Sequence, residues 1–201
     1  MVQLFVDGGG FMWPILFIFI IGFVFVGERL YHLIRGLSSN EEFAMNVAST
    51  VESSGTKAAK DLCDQSLGPV ANLCSSALEK ADSGIEAVEK TLDQSGAIEM
   101  ASMEKNMTWI SLCIATAPML GFLGTVWGMI QAFNDIKMAN DISPAVVAGG
   151  ISVALLTTAF GLVVAVILQI LQNAVMYIID NQIVTLQKST TMLLDAIANK
   201  K

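Results

Sequence analysis

Length, composition and charge indicate a membrane protein. The chain has 201 residues, of which 54% are hydrophobic and only 14% are charged, and its formal net charge is −7. Soluble globular domains carry about 25% charged residues, so this composition argues against a soluble fold. The acidic balance excludes the basic surface that nucleic-acid binding requires.

Three apolar runs each approach or exceed the roughly 20 residues that a membrane-spanning helix needs. They cover residues 11–26, 109–133 and 145–171. The first run is not preceded by basic residues and is not followed by a small-residue cleavage site, so we interpret it as a retained span and not a signal peptide. The fold class predicted is an all-α membrane protein with three transmembrane helices.

Basic residues next to the first run predict the orientation. No Lys or Arg precedes it, whereas Arg29 and Arg35 follow it closely. Such residues are retained on the cytoplasmic side, so we expect the N-terminus outside and the C-terminus inside the cytoplasm. The predicted segments are a periplasmic N-terminus (1–10), a first span with its cytoplasmic boundary (11–35), a cytoplasmic helical region (36–108), a second span (109–133), a short periplasmic loop (134–143), a third span (144–171) and its cytoplasmic extension (172–201).

The polar segment between the first two spans lacks strand-like alternation and is predicted to be helical, with breaks near Gly55 and at Gly68-Pro69. The third apolar region is unusually long, because no charged residue lies between Asp141 and Asp180. At about 1.5 Å per residue this stretch exceeds a bilayer core. We therefore expect the third helix to extend into the cytoplasm and pack there against the helices of the polar segment.

Small residues recur at helical spacing in the second and third runs. The second-run stripe comprises Ala117, Gly121, Gly124, Gly128 and Ala132, and the third-run stripe comprises Gly150, Ala154, Thr158, Gly161 and Ala165. Such stripes let helix backbones approach closely in lipid, so they predict an assembly interface. Ordinary helix packing without any conduction pathway explains such stripes equally well.

Hydroxyl groups lie within the same two runs, at Thr125, Thr157 and Thr158. A threonine hydroxyl can order water or meet a partner's carboxyl group, although it can instead bond a carbonyl of its own helix. None of the three apolar runs contains Asp, Glu, Lys, Arg or His. Capture of proton-motive force needs a titratable group in the field, where one charge is worth about 2.3 kcal/mol per 100 mV. A protein of that kind would take its acid from a partner helix.

No catalytic, cofactor or metal-binding constellation is visible in the sequence. Cys63 and Cys74 have no histidine nearby and do not form a zinc motif, so we expect reduced thiols. The only histidine, His32, lies at the boundary of the first span. We therefore expect neither enzymatic activity nor a cofactor.

Residues 117–133 have the sequence APMLGFLGTVWGMIQAF, and residues 149–162 have the sequence GGISVALLTTAFGL. These segments resemble the second-span and third-span signatures of the ExbB/TolQ/MotA proton-channel family. Gly9-Gly10, Pro14 and Glu28-Arg29-Leu30 are similar to its first span, and the three-span layout is similar to the ExbB/TolQ branch. Residues 38–95 show little resemblance to the family's signatures.

The resemblance implies a channel-forming subunit of a motor driven by proton-motive force. It implies a homopentamer in the lipid bilayer of the bacterial inner membrane, with a periplasmic N-terminus and a cytoplasmic C-terminus. The second and third spans would line a pore around an ExbD/TolR-like dimer of single-span chains, each with an intramembrane Asp. A TonB/TolA-like protein is a further implied partner. Thr125 and Thr158 match the pore threonines that face this Asp. Val153 departs from the family, which usually has Glu there. Either that acid is not essential to the pathway or the chain is a divergent branch with a different load, and the departure also motivates the alternative of a non-conducting oligomeric membrane scaffold.

Overall fold

The described residues of the computed structural model are 2–36, 41–139 and 144–199, and they form α-helices and one short 3₁₀ turn, Ala81–Ser83, without any strand. The helices are α1 (Val2–Asp7), α2 (Met12–Gly36), α3 (Glu41–Ser54), α4 (Thr56–Asp64), α5 (Pro69–Glu79), α6 (Ile85–Met103), α7 (Met107–Ala139) and α8 (Pro144–Asn199). Three stretches are long and apolar enough to cross a membrane: Met12–Ile34, Ile85–Met138 and Val147–Ala198. The predicted fold class is confirmed.

The two predicted breaks in the polar segment are confirmed, and glycine geometry explains both. Gly55 separates α3 from α4 with φ 98°, and Gly68 precedes α5 with φ 140°. Side chains rarely tolerate these positive φ angles, so glycine is favoured at both breaks. Pro69 then occupies the first turn of α5, where its missing N–H costs no hydrogen bond. A third break, which we had not predicted, separates α5 from α6 around Gly84.

Helix α7 is longer than the apolar run that predicted it. It continues through residues 134–139, which we had placed in the connecting loop. These residues are polar enough to leave the lipid, yet they contain no glycine or proline that would end a helix. The remainder of that predicted loop, 140–143, lies outside the described residues, as do 37–40 and 200–201 of the neighbouring predicted segments.

The prediction of a long third helix is confirmed. Helix α8 has 56 residues, which corresponds to a length of about 84 Å at 1.5 Å per residue. A bilayer core is only about 30 Å thick, so α8 is much longer than a helix that only crosses a bilayer.

The chain divides into two compact units, and the first contains the described residues of Met1–Gly27 and Asn106–Ala174. Its core brings together side chains of α2, α7 and α8, namely Ile15, Cys113, Ala117, Val164 and Leu168. Gly22 of α2 makes room for this contact, because an added Cβ would lie 2.7 Å from Leu168 Cδ1 and 3.3 Å from Cys113 Cβ. The three apolar helices thus pack together within this unit.

The second unit contains the described residues of Glu28–Lys105 and Val175–Lys201. Its core joins α3, α4, α5 and α6 to the later part of α8, as predicted. Buried members from α8 are Leu186, Leu193 and Ala196. They pack in one cluster with Val47, Val51, Leu73, Leu92 and other apolar side chains of the polar segment.

Arg29 is a buried charge that connects two elements of the second unit. Its guanidinium is only 5% exposed and donates through Nε and Nη2 to the Glu28 carboxylate, at 3.0 and 2.5 Å. Its Nη1 donates to the Ser102 carbonyl at 3.2 Å, so α2 is tied to the end of α6. Because a buried charge is costly unless it is paired and hydrogen-bonded, these contacts stabilise Arg29 in place.

Replacing Leu186 by Ala should destabilise the second unit by about 2–5 kcal/mol, because it leaves a cavity among fully buried neighbours. Val184→Ala, on the same helix at a half-exposed position, is the matched control and should change stability little. The measurement is the thermal unfolding of the full-length protein in detergent. Equal melting temperatures for the two variants would contradict this packing.

Candidate functional site

Helices α7 and α8 approach each other at backbone distance. A Cβ added at Gly121 would lie 2.9 Å from the Thr157 carbonyl oxygen, and a Cβ added at Gly161 would lie 2.6 Å from the Ala117 carbonyl oxygen. Both obstacles are backbone atoms, which cannot move aside as a flexible side chain can. Glycine at these two positions is therefore what permits the contact.

The same pattern continues along the two stripes of small residues. A Cβ added at Gly128 would lie 3.1 Å from Ala154 Cβ, and one added at Gly150 would collide with Ala132. The stripe alanines Ala117, Ala132, Ala154 and Ala165 are buried. The two stripes, which we had interpreted as an assembly interface, thus face each other within one chain.

Close packing brings the hydroxyls of Thr158 and Thr125 together. Thr158 Oγ1 donates to the Gly121 carbonyl at 3.1 Å across the helix pair, and it lies 3.4 Å from Thr125 Oγ1. Thr125 donates to the carbonyl of Phe122 in its own helix at 2.5 Å. Since each hydroxyl has one proton and two lone pairs, both oxygens keep acceptor capacity for a third group.

Thr157 has a different environment from its neighbour Thr158. It is fully buried and donates to the Ala154 carbonyl of its own helix at 2.7 Å. A Cβ added at Gly124 would lie 2.6 Å from Thr157 Oγ1, so this side chain fills the space that the glycine leaves. The structure therefore groups Thr125 with Thr158 and places Thr157 in the packed interface.

Val153 lies beside a separate cavity of about 340 Å³ in the first unit. Its Cγ1 would lie 3.5 Å from a Cβ added at Gly9, and Gln131 and Thr157 line the same cavity. Neither Thr125 nor Thr158 lines it. A side chain at position 153 therefore faces different surroundings from the threonine pair.

A polar contact between α7 and α8 was missed from the sequence. Gln172 Nε2 of α8 donates to Ser111 Oγ of α7 at 2.6 Å. Nearby within α8, Gln169 donates to Asn173 at 3.2 Å. The amide side chains near the end of the apolar run could have indicated a polar contact. Their partner could not be predicted, because Ser111 is 61 positions from Gln172 in the sequence.

Cys63 and Cys74 are packing residues of the second unit. Both are free thiols in its apolar core, and the hydrogen bond to Cys63, together with burial, raises the pKa of Cys74. Cys74 is therefore a protonated thiol at neutral pH and not a thiolate nucleophile. Within the described part of the chain, no three His, Cys, Asp or Glu side chains are grouped to hold a metal ion.

Fold and site together define a membrane protein with three helices that can span a bilayer, in which paired hydroxyls lie between the second and third. Residues 65–188 match the model of the MotA/TolQ/ExbB proton channel family. This match covers more than half of the chain, so the chain belongs to that family, as its sequence signatures predicted. The match also includes residues 65–95, in which the sequence had shown little resemblance to the family.

Individual relatives agree with this assignment. An ExbB homolog of Methanothermobacter thermautotrophicus is 33% identical over 184 residues, which cover 90% of this chain and 65% of that protein. The biopolymer transport protein ExbB of Xanthomonas campestris is 40% identical over 81 residues, which cover 40% of this chain and 32% of that protein. An ExbB-like protein of Synechocystis is 28% identical over 166 residues, which cover 81% of this chain and 65% of that protein. The chain thus spans less than two thirds of the length of each of these relatives.

Gly161→Ala should separate α7 from α8, because the added methyl group meets the Ala117 carbonyl oxygen at 2.6 Å. We expect a loss of about 1–3 kcal/mol, which is typical of overpacking. Gly149→Ala is the matched control, since a Cβ at that helical position meets nothing within 4 Å. Thermal unfolding in detergent measures both, and a Gly161→Ala protein as stable as the control would contradict the backbone contact.

Proposed function

We propose that this chain is the channel-forming subunit of a motor driven by proton-motive force. In this proposal it lies in a bacterial inner membrane with its N-terminus in the periplasm and its C-terminus in the cytoplasm. Five copies surround the helices of an ExbD/TolR-like dimer whose intramembrane Asp carries the proton, and a TonB/TolA-like protein transmits the energy to the cell envelope. The observation that carries the proposal is the Thr125–Thr158 hydroxyl pair between two apolar helices.

The chemistry of the hydroxyl pair suits a carboxyl group that changes protonation state. A neutral carboxylic acid needs an acceptor, and both threonine oxygens have lone pairs available. A carboxylate needs a donor, and Thr158 can turn its proton from the Gly121 carbonyl towards it. The apolar runs of this chain contain no Asp, Glu, Lys, Arg or His, so in this proposal the acid comes from another chain.

The position of Val153 supports conduction despite the missing glutamate. Val153 lines the cavity near Gly9 and Gln131, whereas the threonine pair lies outside that lining. A side chain at position 153 therefore lines a cavity to which neither Thr125 nor Thr158 contributes. The non-conducting scaffold remains the second candidate, and it is distinguished by the absence of proton flux.

Thr158→Val should reduce proton flux roughly tenfold to a hundredfold, because it removes a hydrogen bond to a group that becomes charged. The matched control is Thr116→Val on α7, whose hydroxyl is exposed and bonds only the Leu112 carbonyl at 2.6 Å. Flux is measured as proton uptake by proteoliposomes that contain the complex purified through a tag on this chain. Native mass spectrometry checks that both variants assemble as the wild type does.

Wild-type flux in an assembled Thr158→Val complex would overturn the role of that hydroxyl. A wild-type complex that assembles but passes no protons under an imposed potential and pH gradient would favour the scaffold.

Purification of the tagged full-length chain from its native membrane should recover a single-span protein with one Asp within its span. The expected stoichiometry is five copies of this chain to two of the partner, which native mass spectrometry measures. Recovery of this chain as a monomer, or with a partner that lacks an intramembrane acid, would contradict the proposed motor.

A further inference from the structure

The second unit contains a cavity of about 430 Å³ whose lining carries both signs of charge. The ionisable side chains that line it are Glu28, Arg29, His32, Glu99 and Lys105. They come from α2, from α6 and from the turn that precedes α7. The proposed proton pathway uses none of these residues, so the cavity needs a separate explanation.

The charged residues of this cavity adjoin the apolar spans in the sequence. Glu28 and Arg29 are the first charged residues after the first apolar run, and Lys105 is the last charged residue before the second. Residues that directly flank membrane spans lie at the level of the lipid headgroups. Pockets with basic residues at this level are suited to bind headgroup phosphates.

Two of the charges in the cavity lining remain available to a ligand. Arg29 is already paired with Glu28 at 2.5 Å, and its remaining contact is to the Ser102 carbonyl. Among the described residues, neither Glu99 nor Lys105 takes part in a salt bridge. Glu99 accepts one hydrogen bond, from Asn72 Nδ2 at 3.0 Å. An acid and a base that lack a salt-bridge partner among the described residues thus line the same cavity.

An anionic ligand would be attracted by Lys105 and repelled by Glu99, so a simple anion suits the site poorly. A zwitterion satisfies both groups, with its negative end on Lys105 and its positive end on Glu99. Apolar side chains also line the cavity, and one of them, Leu67, is 79% exposed. An acyl chain leaving the cavity can pack against such a side chain.

We propose that this cavity binds the phosphoethanolamine headgroup of a zwitterionic membrane lipid. The phosphate accepts hydrogen bonds from Lys105 Nζ, and the primary ammonium donates to the Glu99 carboxylate. Phosphatidylcholine fits less well, because its quaternary ammonium has no N–H to donate. Phosphatidylglycerol fits less well, because it places no positive charge opposite Glu99.

The experiment is native mass spectrometry of the full-length wild-type protein, delipidated in detergent and mixed with phosphatidylethanolamine, phosphatidylglycerol and phosphatidylcholine that share the same acyl chains. We expect phosphatidylethanolamine to be retained about tenfold better than either other lipid, which corresponds to one charge-assisted hydrogen bond. Equal retention of the three lipids, or preference for phosphatidylglycerol, would overturn the proposal without requiring any variant to fold.

Two variants, each lacking one charge of the lining, test whether the lipid binds in this cavity. Glu99→Gln should abolish the preference for phosphatidylethanolamine over phosphatidylglycerol, and Lys105→Gln should weaken retention of both. The matched controls are Glu89→Gln, on the same helix as Glu99, and Lys80→Gln. Both controls lie outside the cavity lining and should behave as the wild type does. Unchanged selectivity in Glu99→Gln would show that the lipid binds elsewhere and would overturn the assignment.

A displacement experiment distinguishes a lipid headgroup from a soluble metabolite that has the same chemical groups. Water-soluble glycerophosphoethanolamine at millimolar concentration should displace the bound lipid poorly, because it lacks the acyl chains that pack on the apolar lining. Equally tight binding of the soluble compound would mean that the site takes a free metabolite and would overturn the lipid assignment.

Discussion

The site depends on the backbone contact between α7 and α8. Lipid tails are as apolar as the side chains of these helices, so the hydrophobic effect does not hold the pair together, and close packing has to do so. Glycines at 121 and 161 permit that packing, because a Cβ at either position would meet a carbonyl oxygen of the opposite helix. Only at this separation does the Thr158 hydroxyl reach the Gly121 carbonyl and approach Thr125.

This contact also changes how the small-residue stripes are understood. Stripes of this kind are commonly expected to join separate chains, yet here the stripe residues of α7 face those of α8 within one chain. In the proposed assembly, contacts between copies of the chain therefore use other faces of the spans. Large apolar side chains on those faces, such as Phe122 and Leu155, are exposed in the single chain. In the proposed assembly they meet lipid or neighbouring copies.

Charged side chains lie outside the apolar runs of this chain. The apolar runs carry no Asp, Glu, Lys, Arg or His, and Arg29, which closely follows the first run, lies in the second unit, where it finds partners. Arg29 is satisfied by Glu28 and by the Ser102 carbonyl, although 73 positions separate Arg29 from Ser102. Glu99 and Lys105 line one cavity of this unit and, among the described residues, form no salt bridge, so their charges can be matched by a bound ligand of complementary charge.

The sequence by itself determined the features that depend on near neighbours in the chain. The length of the apolar runs specified three spans, Gly55 and Gly68-Pro69 specified helix breaks, and the uncharged stretch before Asp180 specified a long third helix. The signatures in the second and third runs also pointed to the family. Local composition did not determine where α7 ends, because polar residues leave the membrane without ending a helix.

Only the tertiary structure decided which hydroxyls come together. Thr157 and Thr158 are adjacent and chemically identical, but about 100° of rotation separates them on a helix, so the register between α7 and α8 selects which one faces Thr125. The same holds for Gln172 with Ser111 and for Arg29 with Ser102, which are distant in the sequence. Helical spacing fixes which residues share a face, whereas the packing of one face on another depends on the whole set of side chains between them.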